Sequence, residues 1–209
     1  MIPELSKQYE GLVEAADLAF AKMQRGYSDC IKCRRGCADC CHAVFGLFLI
    51  EAAYIKDRFD RLDRAAQEDI LLRAARMDED LKRMDQRLAR FADDPVMQAH
   101  ALSKERIRCP LLNDEEECVL YSFRPITCRV YGIPVTIHGR AHVCWKAGFA
   151  KGESYPAFNL DAVYRDLYRL SKDLLEGAGQ KNMEPAAMLI SVSKALKTPF
   201  DDLVRGDLS

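Results

Sequence analysis

Five cysteines stand close together in the stretch CIKCRRGCADCC, residues 30–41. They follow the spacing Cys-x2-Cys-x3-Cys-x2-Cys-Cys and account for more than half of the nine cysteines in the chain. Thiolates two or three residues apart can reach one metal ion from a tight loop, because the backbone turns back on itself over that distance. The segment therefore predicts a metal site formed by thiolates.

The neighbouring residues Cys40 and Cys41 carry further information. Successive side chains point to opposite faces of a strand, and on a helix they diverge by about 100°. One tetrahedral ion would not easily bind both sulfurs. The pair therefore favours two metal ions, or one larger polynuclear cluster, over a single mononuclear site.

Four more cysteines, at positions 109, 118, 128 and 144, are spaced too widely to form a local knuckle. We expect them to complete the coordination from across the fold. Two sites of four thiolates each would need eight of the nine cysteines.

Other roles for the cysteines remain open. They could be small buried hydrophobic residues, but Arg34 and Asp39 within the cluster are not typical of a core. They could form disulfides, or one could be a nucleophile with His42 as its base, although no spacing singles out one thiol. A histidine could also replace a thiolate, and His42, His138 and His142 lie near the cysteines in sequence.

Composition limits the class of protein. With 49% hydrophobic and 30% charged residues, the 209-residue chain is typical of a globular protein. A net charge of −1 gives no general attraction to nucleic acid or anionic membranes. No run of eighteen apolar residues and no signal-peptide pattern is present, so we expect a cytoplasmic protein that does not bind membranes. In that compartment clustered cysteines more often bind metal or carry out redox chemistry than form disulfides.

Helical periodicity dominates the rest of the chain. Residues 4–25 predict an amphipathic helix with one apolar face, formed by Leu5, Tyr9, Leu12, Ala16 and Met23. Residues 69–92 carry a heptad seam that ends before Pro95, formed by Ile70, Ala74, Met77, Leu81, Met84, Leu88 and Phe91. A second seam contains Leu160, Val163, Leu167, Leu170 and Leu174. We expect the two seams to pack against each other and against the N-terminal helix.

Two further elements are expected. A last helix is predicted from Pro185 to Leu196, with Asn182 near its cap and Met188 and Val192 on its apolar face. The sequence VTIHGRAHV predicts a two-residue β-hairpin turn at His138–Gly139.

These patterns predict a mainly α protein, a helical bundle with two cysteine-rich loop inserts and a short β-hairpin. We expect a single metal-binding domain over residues 1–209. Its cysteine-cluster region would span 30–149 and include a helical hairpin at 51–95, and C-terminal helices would occupy 159–206.

The two cysteine-bearing stretches together resemble the YkgJ family of zinc- or iron-chelating cysteine-cluster domains. The first, CRRGCADCCHAVFGLFLIEAAYI, has the family's Cys-x-x-Gly-Cys-x-x-Cys-Cys pattern and a following Glu at position 51. The second, CPLLNDEEECVLYSFRPITCRVYG, has its Cys-Pro start and its Cys-x-x-Tyr-x-x-Arg-Pro-x-x-Cys-Arg end. The resemblance implies metal ligation by Cys33, Cys37, Cys40, Cys41, Cys109, Cys118, Cys128 and Cys144. Cys30 lies just outside the pattern and is an additional candidate.

Two arginines of the pattern, Arg124 and Arg129, have a predicted role around the metal. Four thiolates around a divalent ion leave net negative charge, which these side chains can offset by donating to sulfurs or by bracing loop carbonyls. They could instead pair with surface acids such as Asp114 or Glu117. Gly36 is expected to allow a left-handed backbone beside Cys37.

The cysteine pattern and the resemblance leave two main functions. The favoured one is an iron–sulfur or other polynuclear cluster with a redox or electron-transfer role and an unidentified redox or other protein partner. The alternative is a structural or interaction module with zinc in closed four-cysteine sites. A cluster-dependent modifying enzyme is a minor alternative, because the family pattern also occurs in a flagellin lysine methylase. This chain lacks the Gly-rich strand-to-helix turn that would bind a nucleotide-like methyl donor.

Overall fold

The N-terminal helix α1 runs from Pro3 to Gly26 and follows the predicted amphipathic pattern. The structure is a computed structural model that describes residues 3–34 and 36–208, so four residues of the predicted 1–209 domain lie outside it. Leu5, Tyr9, Ala16 and Met23 are buried on one face of α1, and Leu12 packs beside them. The periodicity therefore predicted this helix correctly.

Short helices and a small sheet accompany three long helices. In chain order the elements are α2 (Leu49–Phe59), α3 (Arg64–Leu88), α4 (Pro95–Lys104), α5 (Ile126–Val130), β1 (Val135–Ile137), β2 (Arg140–His142), β3 (Phe158–Asn159), α6 (Leu160–Gly177), α7 (Glu184–Ala187), α8 (Val192–Lys197) and α9 (Phe200–Arg205). The mainly α class with a short β element is confirmed. None of the described helices is long and apolar enough to cross a bilayer.

The two heptad seams form α3 and α6, but they pack on different partners. Helix α3 lies mainly against α8, whereas α6 lies against α1 and α2. The prediction that the two seams pack against each other is therefore wrong, whereas the expected packing of the second seam against the N-terminal helix is present. The reason is α2, whose residues are buried around almost its whole circumference, so that it occupies the centre of the bundle.

The C-terminal region differs from the predicted single helix at 185–196. Helices α7 and α8 are separated by an extended segment in which Ile190 exchanges two backbone hydrogen bonds of 2.8 Å with Leu47. Ser191 then caps α8 by accepting the N–H of Lys194. Met188, predicted on the apolar face, is 50% exposed. The chain leaves the helical path here because the buried Leu47 segment needs a backbone partner.

The predicted β-hairpin is present. β1 and β2 are antiparallel, and both turn residues, His138 and Gly139, have positive φ, as a type I′ turn requires. Asp161, in the first turn of α6, accepts the N–H groups of both turn residues. The unpredicted strand β3 pairs in parallel with β1, so the sheet is attached to the start of α6.

Glu51 connects the first cysteine segment to α5. Its carboxylate is only 3% exposed, and its two oxygens accept the N–H groups of Phe48 and Ile126, each at 3.2 Å. Phe48 precedes α2 and Ile126 begins α5, so one buried side chain holds two helix starts together. Burial raises the pKa of Glu51 to about 7, although both backbone donors act in the opposite direction.

This burial predicts a pH-dependent stability. Because the pKa of folded Glu51 lies above its ordinary value of 4.5, its contribution is largest at low pH and falls as the pH rises through about 7. Replacing Glu51 by Gln removes this titration. We expect the free energy of unfolding of Glu51→Gln, relative to the unsubstituted protein, to increase by about 2 kcal/mol between pH 5.5 and 8. Urea denaturation at intervening pH values measures it.

The control for this experiment is Glu14→Gln, on the exposed face of α1. This variant measures what the same substitution does to the free energy of unfolding at an exposed position. Stability profiles of Glu51→Gln and the unsubstituted protein that run parallel across this range would contradict the prediction.

Candidate metal centre

Five thiols meet in one buried pocket, which we call the inner recess. They come from three separate parts of the chain: Cys40, Cys41, Cys109, Cys118 and Cys128. The remaining lining is mostly apolar and includes Phe45, Ile55, Met77, Ile107, Leu111 and Val192. Arg124 is the charged residue of the lining. The fold therefore brings together cysteines as far apart in sequence as 40 and 128.

Backbone pairing places Cys109 beside Cys41. A single 3₁₀ turn, Asp39–His42, carries Cys40 and Cys41, whose sulfurs lie 4.0 Å apart. The N–H of Cys109 donates to the carbonyl of Cys41 at 2.7 Å, and the N–H of Ile107 donates to the backbone carbonyl of His42. The segments before and after the α2–α3 hairpin are thus joined at the recess by their backbones.

A tight acidic turn presents Cys118. The side chain of Asn113 accepts the N–H of Glu117, and Glu116 has a positive φ of 58°. Arg108 donates both to Glu116 and to the carbonyl of Asn113, which closes the turn. Leu112 and Cys118 then pair across it.

Cys128 lies in the short helix α5. Pro125 precedes this helix with φ of −64°, and its carbonyl accepts the N–H groups of Cys128 and Arg129. The bond from Ile126 to Glu51 fixes the same helix start against α2. Proline and a buried carboxylate together orient α5, and so direct Cys128 into the recess.

Three other thiols form an outer group: Cys33, Cys37 and Cys144. Cys33 is exposed, and with Cys37 it lines an open cavity of about 530 Å³, which we call the outer cavity. Partial burial, followed by the proximity of the sulfurs of Cys37 and Cys144, raises the pKa of Cys33 to about 11. Gly36 has φ of +79°, the left-handed conformation expected beside Cys37.

Cys144 and Asp39 form a buried pair that the sequence did not predict. The Cys144 sulfur donates to the Asp39 carboxylate at 3.4 Å, and both residues are nearly inaccessible. Arg106 also binds this carboxylate, at 2.6 Å. Since Asp39 adjoins Cys40, it connects the outer group to the turn that supplies the inner recess.

Hydrogen bonding and burial divide the inner thiols into one with a lowered pKa and four with raised pKa values. Cys128 and Cys41 direct hydrogen bonds to the sulfur of Cys40, and these lower its pKa to about 3. The same interactions raise the pKa of Cys41 and Cys128. Burial raises the pKa of Cys109 to about 12 and also raises that of Cys118. A metal ion binding here would release protons from these thiols, so its affinity should increase with pH.

Arg124 supplies a test of whether the recess fits a thiolate-bound metal. Its Nε is buried and has no hydrogen-bond partner among the described residues. Its guanidinium lies 3.8 Å from the ring centre of Tyr121, which is exposed and so is not a core residue. A buried donor without an acceptor is costly, and metal-bound sulfur is a suitable acceptor. The residues present therefore fit a metal centre in the inner recess.

Arg129 braces the backbone around the site. Its Nε and Nη2 donate to the carbonyls of Arg124 and Ser122, and its Nη1 binds Asp17 of α1 at 2.6 Å. This is the bracing of loop carbonyls considered from the sequence, and the acid paired with Arg129 is Asp17.

Several sequence candidates line neither the inner recess nor the outer cavity. Cys30 is absent from the lining of the recess and of the outer cavity, and its carbonyl accepts the N–H of Gly148. Nδ1 of His42 contacts the Ala38 carbonyl, while His138 and His142 are exposed on the hairpin. Within residues 3–34 and 36–208, no three Cys, His, Asp or Glu side chains are arranged to hold a metal ion as they stand. Metal ligation by the eight cysteines of the pattern therefore stays a prediction, with Cys30 as an additional candidate.

Gly132 is a site residue that sequence reasoning missed. A Cβ at this position would overlap the sulfur of Cys33, so only glycine leaves room for that thiol. The available signal was its place at the end of the second motif, CRVYG. Gly132 lets the outer group approach the chain that follows α5.

We expect Gly132→Ala to lower the metal content of the purified protein, because its methyl group must displace Cys33. The Cys33 thiol is exposed and can rotate aside, so we expect the change to appear in metal content rather than in stability. Gly11→Ala is the matched control, since a Cβ there has no neighbour within 4 Å. Elemental analysis of both variants measures the effect, and equal metal content would contradict the role of Gly132.

Comparison with known protein families gave a match over the cysteine-bearing segment. The family model CxxCxxCC, described as "Putative zinc- or iron-chelating domain", matches residues 32–145. That segment covers more than half of the chain and contains the inner recess thiols and the outer group. No curated protein and no solved structure matches the chain. With thiols gathered in a recess beside an unpartnered arginine donor, and with this match, the chain belongs to the CxxCxxCC family of zinc- or iron-chelating domains.

Proposed function

We propose that the protein binds an iron–sulfur or other polynuclear cluster and transfers electrons. The observation that carries the proposal is the meeting of five thiols in the inner recess, one more than a closed tetrahedral zinc site uses. Cys40 is central to it. It interacts with Cys128 and Cys41 inside the recess, and it also raises the pKa of Cys33 in the outer group.

The surroundings of the recess also support this function. Apolar side chains from α2, α3 and α8 surround the thiols and limit the access of water. Burial, net charge and hydrogen bonds to sulfur set the reduction potential of iron–sulfur clusters. Here Arg124 supplies a positive charge and an unused buried donor beside those thiols. When bound, the cluster would accept and donate single electrons.

The number of thiols is also compatible with two zinc sites. The thiols can be divided into two sets of four, with Cys41, Cys109, Cys118 and Cys128 in the first. Cys40 would then join the outer group in the second. Two closed zinc sites would give a colourless structural module.

Purification without oxygen tests the proposal directly. We expect brown protein that contains iron and acid-labile sulfide, with an absorption band that bleaches on reduction. Iron, sulfide and zinc should be counted per chain. Colourless protein, expressed with iron supplied and holding two zinc ions, would overturn the electron-transfer function in favour of the structural module.

Arg124 should tune the reduction potential. Removing a nearby positive charge disfavours the addition of an electron, so we expect Arg124→Ala to lower the midpoint potential by on the order of 100 mV. Arg61→Ala, which removes an exposed cation paired with Asp57, is the control and should leave the potential unchanged. Potentiometric titration followed by visible absorption measures both, and an unshifted potential in Arg124→Ala would contradict this role.

A further inference from the structure

Cations surround the outer cavity. Lys32, Arg34 and Lys146 all line it, together with the thiols Cys33 and Cys37, and all three cations are exposed. The whole chain has a formal net charge of −1, so this local excess of positive charge is not a general property of the surface. We therefore expect this cavity to attract negatively charged groups.

The charges of these cations are only partly balanced within the fold. Lys146 lies 3.4 Å from Asp39, but that carboxylate is buried and already pairs with Arg106. Lys32 donates to a backbone carbonyl, that of Asp29. Arg34 forms no ion pair with any residue in the described parts of the chain. Four thiolates around a divalent ion leave a net charge of about −2, which the three cations exceed, so the cavity keeps an excess of positive charge facing solvent when metal is bound.

Exposed apolar residues lie beside the cations. Trp145 is 74% exposed and Val143 is 42% exposed, and both flank the outer-group residue Cys144. The Nζ of Lys146, which lines the cavity, lies 5.4 Å from the ring centre of Trp145. Exposed tryptophan next to cationic side chains is typical of protein–protein interfaces, where aromatic residues supply much of the binding energy.

We infer that this surface is the docking face for an acidic electron-transfer protein. The face consists of Lys32, Arg34, Lys146, Trp145 and Val143. The inference rests on the proposed function. Because Cys33 is exposed beside these residues, a partner bound here comes close to the outer group. A metal centre held by the thiols would accept one electron from the reduced centre of the partner, and no bond would form or break.

Binding of an acidic plant-type ferredoxin tests the face. Calorimetric titration of the metal-loaded protein should give a dissociation constant that rises at least about tenfold between 25 and 250 mM NaCl. The triple change Lys32→Glu, Arg34→Glu and Lys146→Glu should weaken binding by about tenfold or more at low salt. The control triple, Lys7→Glu, Arg90→Glu and Lys181→Glu, alters charge equally at exposed positions outside the face and should keep most of the affinity.

Each outcome of the comparison decides the inference. Equal weakening by both triples would show a general charge effect and overturn the docking face, as would no weakening by either. If the glutamate triple loses metal, the variant in which Lys32, Arg34 and Lys146 are each replaced by Gln tests the docking face instead. It should retain metal and still bind ferredoxin several-fold more weakly than the unsubstituted protein, and unchanged affinity would overturn the face.

Trp145→Ala provides a second, uncharged test. We expect about a tenfold or greater loss of ferredoxin affinity, with no loss of thermal stability because the ring is exposed. Leu72→Ala, an exposed apolar residue on α3, should have no effect on binding. Both titrations can be made on protein loaded with zinc instead of iron. Failure of the iron–sulfur function and failure of the docking face are therefore distinguishable.

Discussion

Replacing either Cys40 or Cys41 by Ser is expected to remove more than one metal equivalent from the protein. The sulfurs are 4.0 Å apart on one turn, and Cys40 interacts with Cys128 as well as with Cys41. Metals that share bridging ligands cannot be lost one at a time, whereas separate sites behave nearly additively. Metal analysis of both variants, purified without oxygen, measures the loss.

Cys30→Ser is the matched control, because Cys30 lies outside the inner recess. We expect it to retain nearly all of the bound metal. The coupled interpretation would be wrong if Cys40→Ser lost a single equivalent while the remaining metal kept its spectrum and affinity. That result would instead indicate two independent sites.

Removal of the metal is expected to lower the thermal midpoint of the whole protein by about 10 °C or more. The inner recess joins Cys41 to Cys109 across the α2–α3 hairpin, and its lining includes Met77 of α3 and Val192 of α8. Metal binding there restricts a long loop in the unfolded chain and stabilises the folded state as one unit. For a chain of this size, about 3–5 kcal/mol gives a shift of this magnitude.

Differential scanning calorimetry, before and after verified metal removal, measures this effect. The control is the same chelator treatment followed by metal reloading, which should restore the midpoint. An unchanged midpoint in protein shown by elemental analysis to be metal-free would mean that the centre is a local attachment with no role in holding the bundle together.

The sequence predicted the helices with regular apolar repeats and the hairpin with its His–Gly turn. Each of these depends on local information: the spacing of buried side chains along α1, α3 and α6, and two residues that tolerate positive φ. The packing partners of the two seams were not predictable in this way. They depend on α2, which is buried on nearly all sides and whose central position leaves no periodic signal.

In the candidate site, too, the features that depend on local sequence were predicted and those that depend on distant residues were not. The cysteines and Arg124 are visible as a spacing pattern, and their placement around the recess could be anticipated in outline. Asp39 and Gly132 were not, because their roles depend on neighbours distant in sequence: Arg106 and Cys144 for Asp39, and Cys33 for Gly132. The break between α7 and α8 likewise reflects a backbone partner, Leu47, more than a hundred positions away.

The wall of the inner recess extends beyond the segment that defines the family. Val192 lines the recess from α8, and Asp17 of α1 holds the arginine that braces the loop before α5. Both lie outside residues 32–145. The family segment alone would therefore not reproduce the site of this chain. Without the flanking helices it would lose the apolar contact of Val192 with the recess and the ion pair between Asp17 and Arg129. The flanking helices belong to the chelating unit as much as the cysteines do.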